Sequence, residues 1–242
     1  MTDPAAQTST KDPHLVPLLE PSDDQQRCVR QLARAIGRSG LTGPFGHCSL
    51  RLDARHALVC APKPMASIGP GEPGTVIRFD ASLPTGVLGE VRIHQQVYAR
   101  RPEVGAVCRF ISPQITALAA LGRTPRPRHG FGSYFSPSVP FWPQPALVRD
   151  EASAAGVAAL LADAPALVLN VNGAVTVGRT AEQALALAWF LEDAARVELA
   201  ALASGLADTA PTLPPAAAQQ RATWEGRIAE RVWEYLLRDD PE

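Results

Sequence analysis

The sequence predicts an α/β domain with three α/β/α layers and a central, mostly antiparallel sheet. Short β-prone runs come in pairs joined by links tight enough for hairpins, and capped helices with one apolar face stand between those pairs. A chain of 242 residues with 46% hydrophobic content is also long enough for a sizeable core and short enough for one domain. The expected organisation is a flexible tail over 1–20, the domain over 21–206, and a C-terminal segment over 207–242. That segment reads as a Pro/Ala linker and an amphipathic helix docking on the domain or on a neighbouring subunit.

In chain order, Ser22-Asp-Asp-Gln25 is a capping box, opening a helix whose face is Val29, Leu32, Ala33 and Ile36 and which Gly40 closes. Polar and apolar residues alternate from Cys48 to Leu52, and Ala57–Ala61 is a second short run. The Asp53–His56 link makes the two a hairpin, and Thr75–Phe79 is a third strand. Glu90–Arg100 reads as a helix with Ile93, Val97 and Tyr98 turned inward. Val104–Ile111 is strongly β-prone, and Ser112-Pro113 starts a helix with proline at its first position. Arg123–Pro145 is dense in Pro, Gly and aromatic residues, and it is expected to be a long loop over a site or an interface. Asp150 and Glu151 open an alanine/leucine helix, and Ala166–Asn170 and Ala174–Val177 are strands either side of Gly173. Thr180 caps a long helix over Ala181–Ser204 that ends at Gly205. A last amphipathic helix, Gln219–Arg238, carries Trp224, Ile228, Val232 and Leu236.

Charge and composition exclude several function classes. Lys+Arg 23 against Asp+Glu 24 leaves a net of -1, which argues against nucleic acid as a partner. No apolar run approaches the ~18 residues of a membrane span, and the polar start lacks the order of a signal peptide. A soluble, cytoplasmic protein with no membrane partner is expected. Cys28, Cys48, Cys60 and Cys108 form no CxxC pair and read as reduced core residues, Cys48 and Cys60 being able to face each other on neighbouring strands. Lys11 and Lys63 are the lysines and every other basic residue is arginine, the bias of a GC-rich bacterial genome.

The stretches GPFGHCSLRL, ALVCAPKP, GEVRIHQQVYARRPEVGAVCRF and ALVLNVNGAVTVGRTAEQALALAWFLEDAA, in that order, resemble the class II aldolase/adducin-type domain from about Gln25 to Gly205. The most specific parts are Glu-x-x-x-His with Tyr-x-x-Arg-Pro-x-x-x-Ala-Val, and Asn-Gly-x-x-x-x-Gly with a downstream Glu-x-Ala. The resemblance implies, for catalytic members, a divalent metal on three histidines: a His-x-His after the Ala-Val strand and a His-Gly further on. Those positions fall here on Arg109, Ile111 and Asn172. Guanidinium has no free lone pair, isoleucine has no donor, and a lone Asn is a poor zinc ligand. A divergent member with no metal site and no metal cofactor is therefore implied.

The same resemblance places Glu90 on the family's acid/base glutamate, whose competing reading is an ordinary carboxylate at a helix N-terminus. His94 lies one turn further along that face, and a core or capping histidine is the competing reading. The family's sugar-phosphate cradle, an Asn in Gly-Asn-x-Ser, a Thr-Gly and a Ser-Ser, falls on His47, Lys63-Pro64 and Leu88-Gly89. A sugar-phosphate substrate is thus disfavoured, and the positive charge of Lys63 and Arg109 points to another small anion. Lys63 reads as an anion anchor, as a Schiff-base nucleophile or as a plain surface lysine. Ser49 and Ser112 have no base at useful spacing, and Gly40-Leu-Thr-Gly43 is a helix stop rather than a phosphate loop. His129, Tyr134, Phe135, Phe141 and Trp142, with Trp224, Trp233 and Tyr235 near the end, read as interface or docking aromatics.

Two function classes follow. One is a metal-independent lyase, decarboxylating or retro-aldol in type, acting on a small carboxylated or carbonyl substrate. There Glu90 moves the proton, Arg109 and Lys63 hold the anion, Asn172 orients a carbonyl, and His47, Gly89 and His94 border the substrate. The other is a non-catalytic, adducin-like binding or scaffold protein. In either case the resemblance implies a homotetramer with the site between subunits.

Overall fold

The computed structural model describes residues 19–242. The tail expected over 1–20 therefore lies, except for its last two residues, outside the described residues, as does Lys11. The chain lays down α1 (Asp23–Arg38), β1 (Gly46–Arg51), β2 (His56–Val59), β3 (Thr75–Arg78), α2 (Arg92–Arg100), β4 (Ala106–Phe110) and α3 (Pro113–Ala120). It continues through β5 (Phe141–Trp142), α4 (Glu151–Leu161), β6 (Ala166–Leu169), β7 (Ala174–Gly178), α5 (Ala181–Ala203), α6 (Pro215–Arg221) and α7 (Ile228–Leu236). The strands form one open sheet in the order β3-β2-β1-β4-β7-β6-β5. Every neighbouring pair is antiparallel except β5 with β6.

Strand alternation sorts the core into two layers. Cys48, Leu50, Cys60, Cys108, Phe110 and Val168 pack with α1, α3 and α5 on one face, whereas Val59, Val107, Leu167, Leu169 and Val175 pack with α2 and α4 on the other. The three-layer α/β/α expectation matches this arrangement. The helix starts follow their chemistry: Ser22 and Gln25 close a reciprocal capping box, and Asp150 and Thr180 accept from the third backbone N–H of α4 and α5. The four cysteines are free thiols, with Cys48 N–H donating to Cys60 Sγ across β1 and β2 at 3.4 Å.

Two expectations change. The stretch Arg123–Pro145 is not all loop: it holds a 3-10 turn at Gly132–Phe135 and the edge strand β5. A two-residue parallel edge strand has no sequence period to reveal it. The expected helix Gln219–Arg238 is two helices, α6 and α7, and α6 begins inside the stretch read as linker. α6 stops where Ala222 turns to ψ 73°, and α7 starts only after Gly226 at φ 73° and Arg227 at φ 59°, left-handed residues that cannot belong to a right-handed helix. Among the described residues no helix is long and apolar enough to cross a membrane.

Candidate active site

At one end of the sheet β1 begins, β4 ends and β7 begins, for Gly46 pairs with Phe110 and Phe110 with Ala174. Three side chains meet there. Arg109 Nη2 donates to Glu90 Oε1 at 3.1 Å, and Asn172 Nδ2 donates to the same oxygen at 3.3 Å. Arg109 comes from β4, Glu90 from the 3-10 turn Gly89–Val91 that leads into α2, and Asn172 from the turn between β6 and β7. That turn needs Gly173: φ is +79°, and a Cβ would stand 2.0 Å from the Phe110 carbonyl oxygen.

A second group runs inward from this cluster. His47 is the cross-strand partner of Arg109, and His47 and Ser49 project from β1 toward α2, where His94 and Tyr98 stand one turn apart. His47 Nδ1 lies 2.9 Å from His94 Nε2, His94 Nδ1 lies 2.6 Å from Ser49 Oγ, and Ser49 Oγ lies 2.9 Å from the Tyr98 hydroxyl. Tyr98 in turn donates to the Ser49 carbonyl at 3.0 Å. All four are buried, and burial is the leading cause of each shifted ionisation. His94 is pushed down to about 3, with Arg109 adding to the effect, and His47 is held far below the ordinary imidazole range, with His94 and Arg109 adding. Both imidazoles are thus neutral at physiological pH.

Arg109 is also depressed by burial; Glu90 opposes that shift, whereas the nearby charge of Arg149 adds to it. Arg149 is the residue that sequence reasoning missed. Its aliphatic stem crosses Gly89, where a Cβ would meet Arg149 Cγ at 3.3 Å. Nothing in the sequence singled it out from the other arginines. The site therefore pairs one carboxylate with the buried Arg109, with the charge of Arg149 nearby and two uncharged imidazoles alongside.

Of the residues singled out in the sequence, Glu90, Arg109, Asn172, His47 and His94 come together, with Gly89 beside them under Arg149. Lys63 lies apart, its Nζ 2.9 Å from Glu72 Oε2 in a pair open to solvent. Ile111 donates its backbone N–H to Thr42 Oγ1. The aromatic residues mostly line the other face: Phe131 stacks on Phe190 with ring centroids 4.5 Å apart, and Tyr134 lies 4.9 Å from Trp224.

A divalent metal does not fit the Glu90–Arg109–Asn172 cluster. The guanidinium offers no lone pair and stands where a cation would have to sit, and Glu90 Oε1 already accepts two N–H groups. Among the described residues no group of three or more His, Cys, Asp or Glu side chains is placed to hold a metal.

A family model for the Class II Aldolase and Adducin N-terminal domain matches residues 27–199. The chain belongs to this family. Among curated relatives of this class II aldolase-like chain, the 3,4-dihydroxyphthalate decarboxylase of Terrabacter sp. (strain DBF63) is 26% identical over 201 residues, which are 75% of this chain and 82% of that protein. Among solved structures, an aldolase II superfamily protein from Pseudomonas syringae superposes with a TM-score of 0.76 at 21% identity, covering 91% of this chain and 93% of that one. The L-fuculose 1-phosphate aldolase from Glaciozyma antarctica PI12 superposes with a TM-score of 0.71 at 19% identity, covering 92% and 94%. These superpositions establish the class II aldolase fold; the chemistry has to come from the site.

Proposed function

We propose that this class II aldolase-like chain is a metal-independent, decarboxylase-type carbon–carbon lyase acting on a small aromatic carboxylate in the cytoplasm. The observation that carries the reading is the state of Arg109. Two structural arginines use nearly all their donors: Arg34 bonds Asp240, Glu242 and the Ile68 carbonyl, and Arg128 bonds Glu198 and three backbone carbonyls. Arg109 is just as buried, yet it makes one side-chain bond, and its Nε–H has no partner. An unpaired buried donor costs ~1–3 kcal/mol, and although Arg126 Nη2 and Trp142 Nε1 are also left without a hydrogen-bond partner, the Arg109 donor belongs to the side chain that meets Glu90. An incoming carboxylate would satisfy it.

In this reading Arg109 and Arg149 hold the anionic groups of the substrate. The bond between the leaving carboxylate and its carbon breaks, CO2 departs, and the electron pair remains on carbon. Glu90 takes a proton from water and passes it to the carbon that CO2 has left, and Arg109 and Asn172 steady the negative charge before it arrives. The Terrabacter relative supports an aromatic dicarboxylate as the first substrate to assay. Exposed Phe45, Leu88 and Val171 at this end of the sheet support a homo-oligomer, a tetramer, that completes the site between subunits. Lys63, paired with Glu72, is given no role.

The test is CO2 release from 3,4-dihydroxyphthalate by protein dialysed against a chelator. Retained turnover is expected. Turnover that disappears on chelation and returns with zinc overturns metal independence. No release from any of a panel of ortho-substituted aromatic carboxylates overturns the lyase reading.

A further inference from the structure

The chain from His47 to Tyr98 takes its direction from the bond that the Tyr98 hydroxyl donates to the Ser49 carbonyl. The Tyr98 hydroxyl has one proton, and the direction follows from placing it on the carbonyl of Ser49, which can only accept, at 3.0 Å. Tyr98 oxygen is then the acceptor for Ser49 Oγ–H at 2.9 Å. With its own proton used there, Ser49 Oγ must accept from His94, which puts a proton on His94 Nδ1 and leaves Nε2 as a lone pair. That lone pair accepts from His47 Nδ1–H at 2.9 Å. Each ring carries one proton, because both imidazoles are neutral. His47 Nε2 is therefore a bare lone pair, and it is buried with no partner.

This end of the chain sits beside Arg109, whose idle Nε–H is a donor. One atom that can only accept and one that can only donate thus lie buried on neighbouring strands beside Glu90. We infer that His47 Nε2 is a fixed acceptor for a hydroxyl proton of the substrate, so that the site selects a hydroxylated carboxylate, with the carboxylate on Arg109 and the adjacent hydroxyl on His47. The inference rests on the proposed carboxylate site and sharpens it: the hydroxyl, not ring size or a second carboxylate, discriminates among substrates. A hydroxylated ligand is favoured over an analogue lacking the hydroxyl, since its O–H satisfies a buried lone pair that otherwise stays unpaired. Tyr98 acts only through Ser49 and His94 and is a positioning residue.

Imidazole nitrogen NMR on uniformly 15N-labelled protein tests the assignment without any substrate. Both rings are expected neutral with Nδ1 protonated, the His47 signals being identified by their loss in His47→Asn. A proton on His47 Nε2 overturns the proposal. Tyr98→Phe removes the committed donor and frees Ser49 to donate to His94, so both rings should switch to the Nε2–H form. Rings that stay unchanged in this variant overturn the relay. Binding supplies the second arm: 2-hydroxybenzoate should bind at least tenfold more tightly than benzoate, and His47→Asn and Tyr98→Phe should each abolish that ratio while benzoate affinity stays within twofold. Equal affinities in the wild type overturn the hydroxyl specificity yet leave the decarboxylase reading standing. Failure of both acids to bind, together with no CO2 release, removes the carboxylate site itself.

Discussion

Buried arginines in this protein divide by how completely their donors are used, and the division separates stability from chemistry. Arg34 is locked to Asp240 at 2.6 Å and to Glu242 at 2.9 Å. Replacing it by methionine strands Asp240 and leaves Glu242 on Arg30 alone, and Arg34→Met should cost ~3–5 kcal/mol in urea denaturation. Arg109 leaves only Glu90, itself partly open to water, without its cation. Arg109→Met should therefore cost no more than ~2 kcal/mol of stability, discounted for that exposure, while lowering decarboxylation on the order of 10²-fold. A rate loss of less than tenfold would remove Arg109 from the chemistry. Lys63→Met, by contrast, should leave turnover within twofold, since its Glu72 pair is open to solvent. The residue positions were legible through the family resemblance, which places Glu90 on the family's acid/base glutamate and Arg109 and Asn172 on its metal-ligand positions. Their degree of satisfaction was not, because partners such as Arg149 come from distant chain segments.

At the scale of elements, the site depends on two local devices. One is the turn between β6 and β7, where Gly173 passes under the Phe110 carbonyl. Gly173→Ala combines a positive-φ penalty with a backbone clash, and it should destabilise by at least ~2 kcal/mol and displace Asn172 from Glu90. Wild-type stability in that variant would show that the turn relaxes freely. The other device is the run Glu90, His94, Tyr98, spaced one turn apart, with Glu90 meeting Arg109 of β4 and the other two meeting β1. Its spacing was visible in the sequence, whereas its partners His47 and Ser49 were not, because pairing across the helix–sheet seam depends on strand register. Long periodic helices and capped termini were equally legible. The edge strand β5 and the break at Gly226–Arg227 were not: two residues carry no period, and αL conformation at arginine has no compositional signature.

For the whole molecule, buried neutral histidines and clamped carboxylates make folding acid-sensitive in two successive windows. His94 falls from its ordinary 6.5 to about 3 in the fold, and His47 is lowered as well. Below pH 6.5 the unfolded chain therefore takes up protons that the folded chain refuses. Stability is highest above that point and declines as pH falls toward 3, with a slope approaching ~1.4 kcal/mol per pH unit for each histidine. The second window belongs to the C-terminal clamp. Arg30 and Arg34 hold Glu242 down from 4.5 to about 2, so its contribution is complete above 4.5 and disappears as pH falls toward 2. Urea midpoints at pH 8, 6, 5 and 4 should thus fall progressively from about pH 6.5, before the carboxylates begin to titrate. The double variant His47→Asn/His94→Gln should be less stable at pH 8 but nearly flat from pH 8 to 5, which isolates the histidine window. If wild type is flat over that range, the imidazoles are not held neutral by the fold. The directional hydrogen-bond chain ending at His47 would then lose its physical basis, because only a neutral ring can present a lone pair to the site.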